Sequence, residues 1–158
     1  MSAKSEMFIV NSALDAALAV TGQKLGNVQL VDWKEGWLEI AAHRGFSQEF
    51  LNTFRRVRSS DGCACARALL LRDTVLIEDV NCDLRFPALA SVGKQAGFVS
   101  VQSTPLVSSN GALLGVISTH GSRRPTDRQL EHITTLARRA ANELVHLRGI
   151  KIPMQSVG

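Results

Sequence analysis

Tyrosine is absent from this 158-residue chain, and aromatic side chains of every kind make up only 5% of it. Platforms on which nucleic-acid bases could stack are therefore scarce. The arginines fall in separated groups, Arg55-Arg56 with Arg58, Arg123-Arg124 and Arg138-Arg139, interleaved with acids. They read as solvated helix faces. The formal charge of +4 is a small excess for a whole domain, so no nucleic-acid partner is expected. Cysteine is sparse as well. Cys63, Cys65 and Cys82 are an odd set, which excludes a fully paired disulfide scaffold and fits a reduced, cytoplasmic chain with free thiols. No apolar run approaches the roughly 20 residues of a membrane span. The opening Met-Ser-Ala-Lys-Ser-Glu is too polar for a secretory signal, so no membrane association is expected. A glycine-rich phosphate loop, an internal repeat and a low-complexity tract are also missing.

What remains is ordinary globular composition, with 45% hydrophobic and 20% charged residues. The length suits one domain over residues 1–158, with its core at about 6–148 and a short tail at 149–158. Met7, Val10, Leu14, Ala17 and Thr21 recur at helical spacing, which predicts a first helix over Glu6–Thr21 with Ser5 as its cap and Gly22 as its stop. Asn27–Trp33 and Trp37–Arg44 alternate around a short turn and read as an antiparallel hairpin. Ser47 caps a helix expected over Gln48–Val57. Cys63–Leu71 suits a short helix, Thr74–Val80 a strand and Leu89–Ala96 another short helix. Phe98–Val107 and Ala112–His120 flank Asn110-Gly111, a strong hairpin signal. Thr126 caps a long last helix over Asp127–Arg148. Tight hairpins predict a mainly antiparallel sheet, and its apolar stretches predict helices on both faces.

Several runs in this order carry a resemblance. They are Gly26–Asp32, Leu38–Phe46, Gly62-Cys-Ala-Cys-Ala-Arg-Ala-Leu69, Val75–Val80 with Asp83–Pro87, Val101–Val107 and Gly111–His120. Together they resemble the GAF domain family, bacterial signalling and sensor modules, over about Glu6–Arg148. The resemblance implies an α+β fold with a central antiparallel sheet. The N- and C-terminal helices would pack together on one face, and a ligand pocket would lie on the other. It also implies a non-catalytic sensor that binds a small molecule and signals through a helical dimer to a partner such as a kinase or regulator. The ligand, and any cofactor, stays open, because members of the family bind very different molecules. Two other readings are a cysteine redox enzyme resembling free methionine sulfoxide reductase, and a ligand-free dimerisation module. The signatures for covalent bilin attachment and for cyclic-nucleotide binding are not matched.

Candidate pocket residues follow from strand alternation. Ser100, Gln102 and Thr104 share one side of their strand, and that polar side is expected to wall the pocket. Gln29, Arg44, Cys63 and Thr119 complete the ligand-binding set, with Asn27 and His120 as further polar candidates. No catalytic residue is assigned. Positions two apart on a helix point different ways, so Cys63 and Cys65 are not expected to converge, and no metal site is expected. A redox-sensing role for these thiols is a minor alternative. His132 lacks the surroundings of a kinase phospho-acceptor and reads as a solvated helix residue. Leu130, Ile133, Ala137, Ala140, Leu144 and Leu147 form a seam spaced three and four apart. It predicts a homodimer through the first and last helices, with Leu144 at the interface.

Overall fold

The computed structural model describes residues 2–149, with side chains from Ser5 onward. The elements run α1 (Ser2–Thr21), β1 (Leu25–Asp32), β2 (Trp37–Arg44), α2 (Gln48–Phe54), β3 (Arg56–Arg58), α3 (Ala64–Leu71), β4 (Val75–Ile77), a 3-10 turn (Val80–Cys82), α4 (Leu89–Ala96), β5 (Ser100–Val107), β6 (Leu113–Gly121) and α5 (Asp127–Arg148). One six-stranded sheet has the order β3-β2-β1-β6-β5-β4, and every neighbouring pair is antiparallel. The fold is α+β, with helices on both faces.

Local chemistry accounts for most boundaries. Thr126 Oγ1 accepts from the Gln129 N–H at 3.1 Å, and Gln129 Oε1 accepts from the Thr126 N–H at 2.8 Å. This reciprocal capping box starts α5. At the end of α1, Gly22 takes φ +71° and its N–H donates to the Leu18 carbonyl at 2.8 Å. That helix begins at Ser2, so Ser5 lies inside it and is not its cap.

A further difference concerns residues 55–58. The expected α2 runs to Val57, whereas the observed helix ends at Phe54 and Arg56–Arg58 forms the edge strand β3. Val57 is buried while Arg56 and Arg58 stay outside, an alternation that only a strand provides. Both guanidinium groups lie over the Trp37 ring, at 4.6 and 5.5 Å, so these arginines are held by a cation–π contact.

Two cores lie on either side of the sheet. Under α1 and α5, Val10, Leu14, Ile133, Ala137, Ala141 and Leu144 pack onto Val28, Leu106 and Ile117. The seam on α5 is thus buried within its own chain from Ile133 to Leu144, with Leu144 fully enclosed and Leu130 and Leu147 half-buried at its ends. The expectation that this seam lies wholly or partly between two chains is corrected from Ile133 to Leu144: small residues at 137 and 140 let α5 lie close on α1 and the sheet. The second core lies under α2, α3 and α4 and includes Leu38, Val57, Ala66, Ile77, Val80, Phe98 and Val101. At the centre of the sheet β6 approaches β1 very closely: a Cβ on Gly115 would sit 2.0 Å from the Gln29 carbonyl oxygen, so only glycine fits there.

Candidate functional site

The second core is incompletely filled. A cavity of about 30 Å³ opens against the middle three strands, lined by Asn27 and Gln29 of β1, Val101 and Ser103 of β5, and Ser118 and His120 of β6. The register brings them together, because Ser118 faces Asn27 on one side and Ser103 on the other. The Ser103 and Ser118 hydroxyls share a hydrogen bond of 2.7 Å. Phe50 and Phe54 of α2, Phe98, Leu89 and the N-terminus of α3 close the space.

Polar groups at this cavity lack protein partners. Asn27 Oδ1, Gln29 Oε1 and His120 Nδ1 are buried and accept or donate no hydrogen bond among the described residues. Such orphans are uncommon in native interiors and cost roughly 1–3 kcal/mol each. His120 is also enclosed by rings: Phe98 meets it edge-on at 4.7 Å and Phe46 at 5.0 Å. Burial pushes its pKa from 6.5 down to about 3, so it is a neutral imidazole at physiological pH. Phe46 stacks on Phe50 at 3.9 Å, Phe50 contacts Phe54 at 4.7 Å, and Phe54 contacts Phe86 at 6.3 Å. Five of the six phenylalanines in the chain therefore gather here. The low aromatic content of the sequence conceals this local concentration.

Outside the cavity lies a surface groove of about 420 Å³ between α2 and α4, lined by Ser47, Thr53, Val92 and Gln95. Phe50 and Phe54 line both spaces and form the partition between them. The groove has the volume of a small-molecule site, and the cavity beyond has the unpaired polar groups such a site uses for orientation.

Cys63 and Cys65 converge on the cavity wall with their sulfurs 3.4 Å apart. The expectation that they diverge fails because Cys63 is not helical. It is the N-cap residue of α3, with extended φ −71° and ψ 166°, and its side chain turns back toward Cys65 in the first turn. The hydrogen bond from Cys65 lowers the Cys63 pKa, opposed by burial and helped by the Ala66 N–H. The same contact raises the Cys65 pKa, as does its own burial. The pair is thus polarised, with Cys63 the better thiolate. Gly62, at φ +79°, turns the chain into this position, and Arg67 Nε donates to its carbonyl at 2.7 Å. Arg67 also donates to Asp83 at 2.5 Å in an almost fully buried ion pair, clamping the loop after the 3-10 turn to α3. Cys82 is exposed, its sulfur 3.8 Å from the Asp79 carboxylate and away from the other two. Among the described residues no group of three or more His, Cys, Asp or Glu side chains is placed to hold a metal.

Of the seven expected ligand-binding residues, the structure brings Gln29 and Cys63 to the cavity. Gln102, Thr104 and Thr119 lie on the opposite side of the sheet, alternating with the cavity residues and sharing the α5 side with Leu106 and Ile117. There they form a closed set. Thr119 Oγ1 donates to Gln102 Oε1 at 2.9 Å, Gln102 Nε2 donates to Thr104 Oγ1 at 2.5 Å, and Thr104 pairs with Thr74 at 2.9 Å. Ser100 takes the same side by alternation. Arg44 sits at the surface on Asp15 of α1, 3.1 Å away, and on Asn11. Alternation was legible, but polarity did not say which side was the pocket, since both sides of β5 carry hydroxyls. Phe98 breaks the alternation: the strand begins only at Ser100, and Phe98 still faces the cavity with Val101. Ser103, Ser118, Cys65 and the phenylalanines were missed. The signal available for them was that Ser103 and Ser118 are the hydroxyls on an otherwise valine-rich side.

The sequence profile of the GAF domain matches residues 4–144. The chain belongs to the GAF domain family. GAF domains are generally small-molecule sensing and signalling modules, mostly without enzymatic activity. No curated protein matches the sequence significantly. Among solved structures, the chain is similar to a GAF domain/HD domain protein from Geobacter sulfurreducens, at 16% identity and TM-score 0.78, covering 92% of this chain and 95% of that one. The second GAF domain of DevS from Mycobacterium smegmatis matches at 19% identity and TM-score 0.68, covering 91% and 96%. A free methionine-R-sulfoxide reductase from Neisseria meningitidis, solved with its substrate, matches at 17% identity and TM-score 0.70, covering 92% and 81%. At these identities the GAF fold is what is shared. No helix among the described residues is long and apolar enough to cross a membrane.

Proposed function

We propose that this GAF domain is a non-catalytic sensor that binds a small, flat, mostly apolar molecule non-covalently in the cavity beneath Phe50 and Phe54. The observation that carries the reading is the convergence of Asn27 Oδ1, Gln29 Oε1 and His120 Nδ1, all unpaired by protein, on one aromatic-walled space. Two amide oxygens call for a ligand that offers N–H or O–H donors, and the phenylalanines for one with a flat apolar body. A cavity of about 30 Å³ is smaller than such a ligand. Binding therefore requires Phe50 and Phe54 to swing and join the cavity to the outer groove. That movement supplies the two-state element of a sensor, as ligand favours the open packing of α2. Free thiols suit a reducing, cytoplasmic setting.

The test is a fragment screen on the reduced protein by ligand-observed NMR, using flat heteroaromatic amides and amines. Ser103→Leu fills the cavity from the sheet side. Binders lost in this folded variant support the reading, and binders that persist refute the site. If nothing binds, the module is ligand-free.

Signalling through a homodimer is proposed on the outer side of the terminal helices. With the α5 seam buried, the remaining apolar surface is a groove between α1 and α5 lined by Phe8, Ile9, Ala13, Leu136 and Ala140, with Phe8 73% exposed. Sedimentation equilibrium at micromolar concentration should show a dimer that Phe8→Asp weakens. A strict monomer defeats this part.

A second reading, a reductase acting on a small sulfoxide, has the Cys63–Cys65 contact in its favour. Turnover of methionine sulfoxide with dithiothreitol as reductant decides it.

A further inference from the structure

We infer that Cys63 and Cys65 form a modification site for small hydroperoxides, closing a reversible disulfide in the cavity wall. The geometry has three parts. The two sulfurs are already in contact at 3.4 Å, so a bond of about 2.05 Å is reached by a local approach of the two side chains. Cys63 lies outside the helix, with extended φ −71° and ψ 166°, and this places its sulfur against that of Cys65 in the first turn. The cavity that both thiols line is about 30 Å³, room for one or two water-sized molecules, which suits a peroxide better than a metabolite. Ser103, Ser118 and the unpaired Gln29 and His120 supply hydrogen-bonding groups around such a guest. The N-terminus of α3 favours the thiolate of Cys63, and Cys65 holds its own proton against it.

The chemistry balances with the hydroperoxide as the only oxidant. The Cys63 thiolate attacks the terminal peroxide oxygen; the O–O bond breaks, and the departing alkoxide or hydroxide takes a proton to leave as an alcohol or water. Cys63 is then a sulfenic acid. The Cys65 sulfur attacks Cys63 Sγ, the S–O bond breaks, and the hydroxyl leaves as water with the Cys65 proton. Two thiols have lost two electrons and two protons to the peroxide. A ring closed over a single intervening residue is strained, and strained disulfides are easily reduced, so the site resets with cellular thiols. Cys63 precedes the helix that borders the cavity, so the disulfide would alter that wall and the space beside Gln29.

The switch rests on the cavity already read as the ligand pocket, but thiol chemistry is measured with no ligand, so the two readings fail separately. Trypsin releases Ser59–Arg67, which carries Cys63 and Cys65, and Asp73–Arg85, which carries Cys82. Reduced full-length protein is treated with one equivalent of hydrogen peroxide, quenched, alkylated under denaturing conditions and digested. The expected result is an unalkylated Ser59–Arg67 peptide lighter by two hydrogens, alkylated Cys82, and full return of both labels after dithiothreitol. Cys82→Ser should behave the same, whereas Cys63→Ser and Cys65→Ser should each lose the internal disulfide. In wild type, a ring-proton shift of His120 should accompany oxidation and reverse on reduction. Three results would each overturn the assignment: both thiols remaining alkylatable, a disulfide mapping to Cys82 or between chains, or oxidation of Cys63 that dithiothreitol does not reverse.

Discussion

The sheet presents two faces built from the same strands, and they are finished differently. Beneath α1 and α5 the apolar side chains are enclosed, and the polar ones, Gln102, Thr104 and Thr119, satisfy each other and Thr74. Ser100 Oγ and Gln23 Oε1 are orphans on that side. Beneath α2, α3 and α4 a cavity remains, Asn27, Gln29 and His120 are left unpaired, and two cysteines meet. Close packing with paired polar groups is what stability selects. Unpaired polar groups around a space lower stability, and they make sense where something else is to be bound. On the proposed reading, the packed side serves stability and the unfinished side serves binding, within β-strands whose compositions look alike.

The comparison predicts a graded response to change. Leu144→Ala, on the packed face, should cost about 3 kcal/mol, read as a lower urea midpoint with an unchanged slope. For the same reason Leu144→Asp, which an intermolecular seam would make a dimer-breaking change, should unfold the chain rather than separate two folded copies.

Acid should act through the pocket face. His120 is held neutral by burial, with its pKa lowered from 6.5 to about 3. Below pH 6.5 the unfolded chain takes up a proton that the folded chain refuses until near pH 3. The stability is therefore complete above pH 6.5 and falls as pH drops toward 3, by up to about 1.4 kcal/mol per unit. Urea melts between pH 8 and pH 5 should show a loss of about 2 kcal/mol that His120→Phe removes.

Gln102→Leu keeps the volume but orphans the Thr119 hydroxyl beneath α5 and leaves Thr104 with Thr74 alone, at a cost of roughly 1–3 kcal/mol. The same exchange on the other face, Gln29→Leu, removes a group that has no partner for its oxygen, so stability should stay within about 0.5 kcal/mol of wild type or rise. Equal losses from the two glutamine replacements would erase the distinction between the faces.

Much of the fold was legible because its signals are local. Thr126, Gly22 and Asn110-Gly111 mark ends and turns through backbone chemistry that needs no partner far away. The strand β3 was not, since three residues, Arg-Val-Arg, are too few to show a period against a preceding helix. The site was legible only in part. Gln29 and Cys63 were reached, but Ser100, Gln102, Thr104 and Thr119 were assigned to the wrong side, because a strand's alternation defines two sides without saying which one a helix covers. Arg44, expected among the pocket's polar residues, is instead a surface ion-pair partner of Asp15. The cysteine pair was discounted by helical spacing, which does not apply one residue before a helix begins. The phenylalanine cluster draws on positions 46, 50, 54, 86 and 98, a gathering that only the tertiary fold reveals.

The central claim is that the unfinished face is the binding face. Its most direct test is a chemical-shift map of isotopically labelled, reduced protein titrated with the strongest binder from the fragment screen. The account predicts saturable shifts at Gln29, Cys63, Ser118 and His120 on the sheet side and at Phe50 and Phe54 on α2, with Gln102, Thr104 and Ala137 unmoved. Shifts confined to α1 and α5, or spread evenly over both faces, would contradict it.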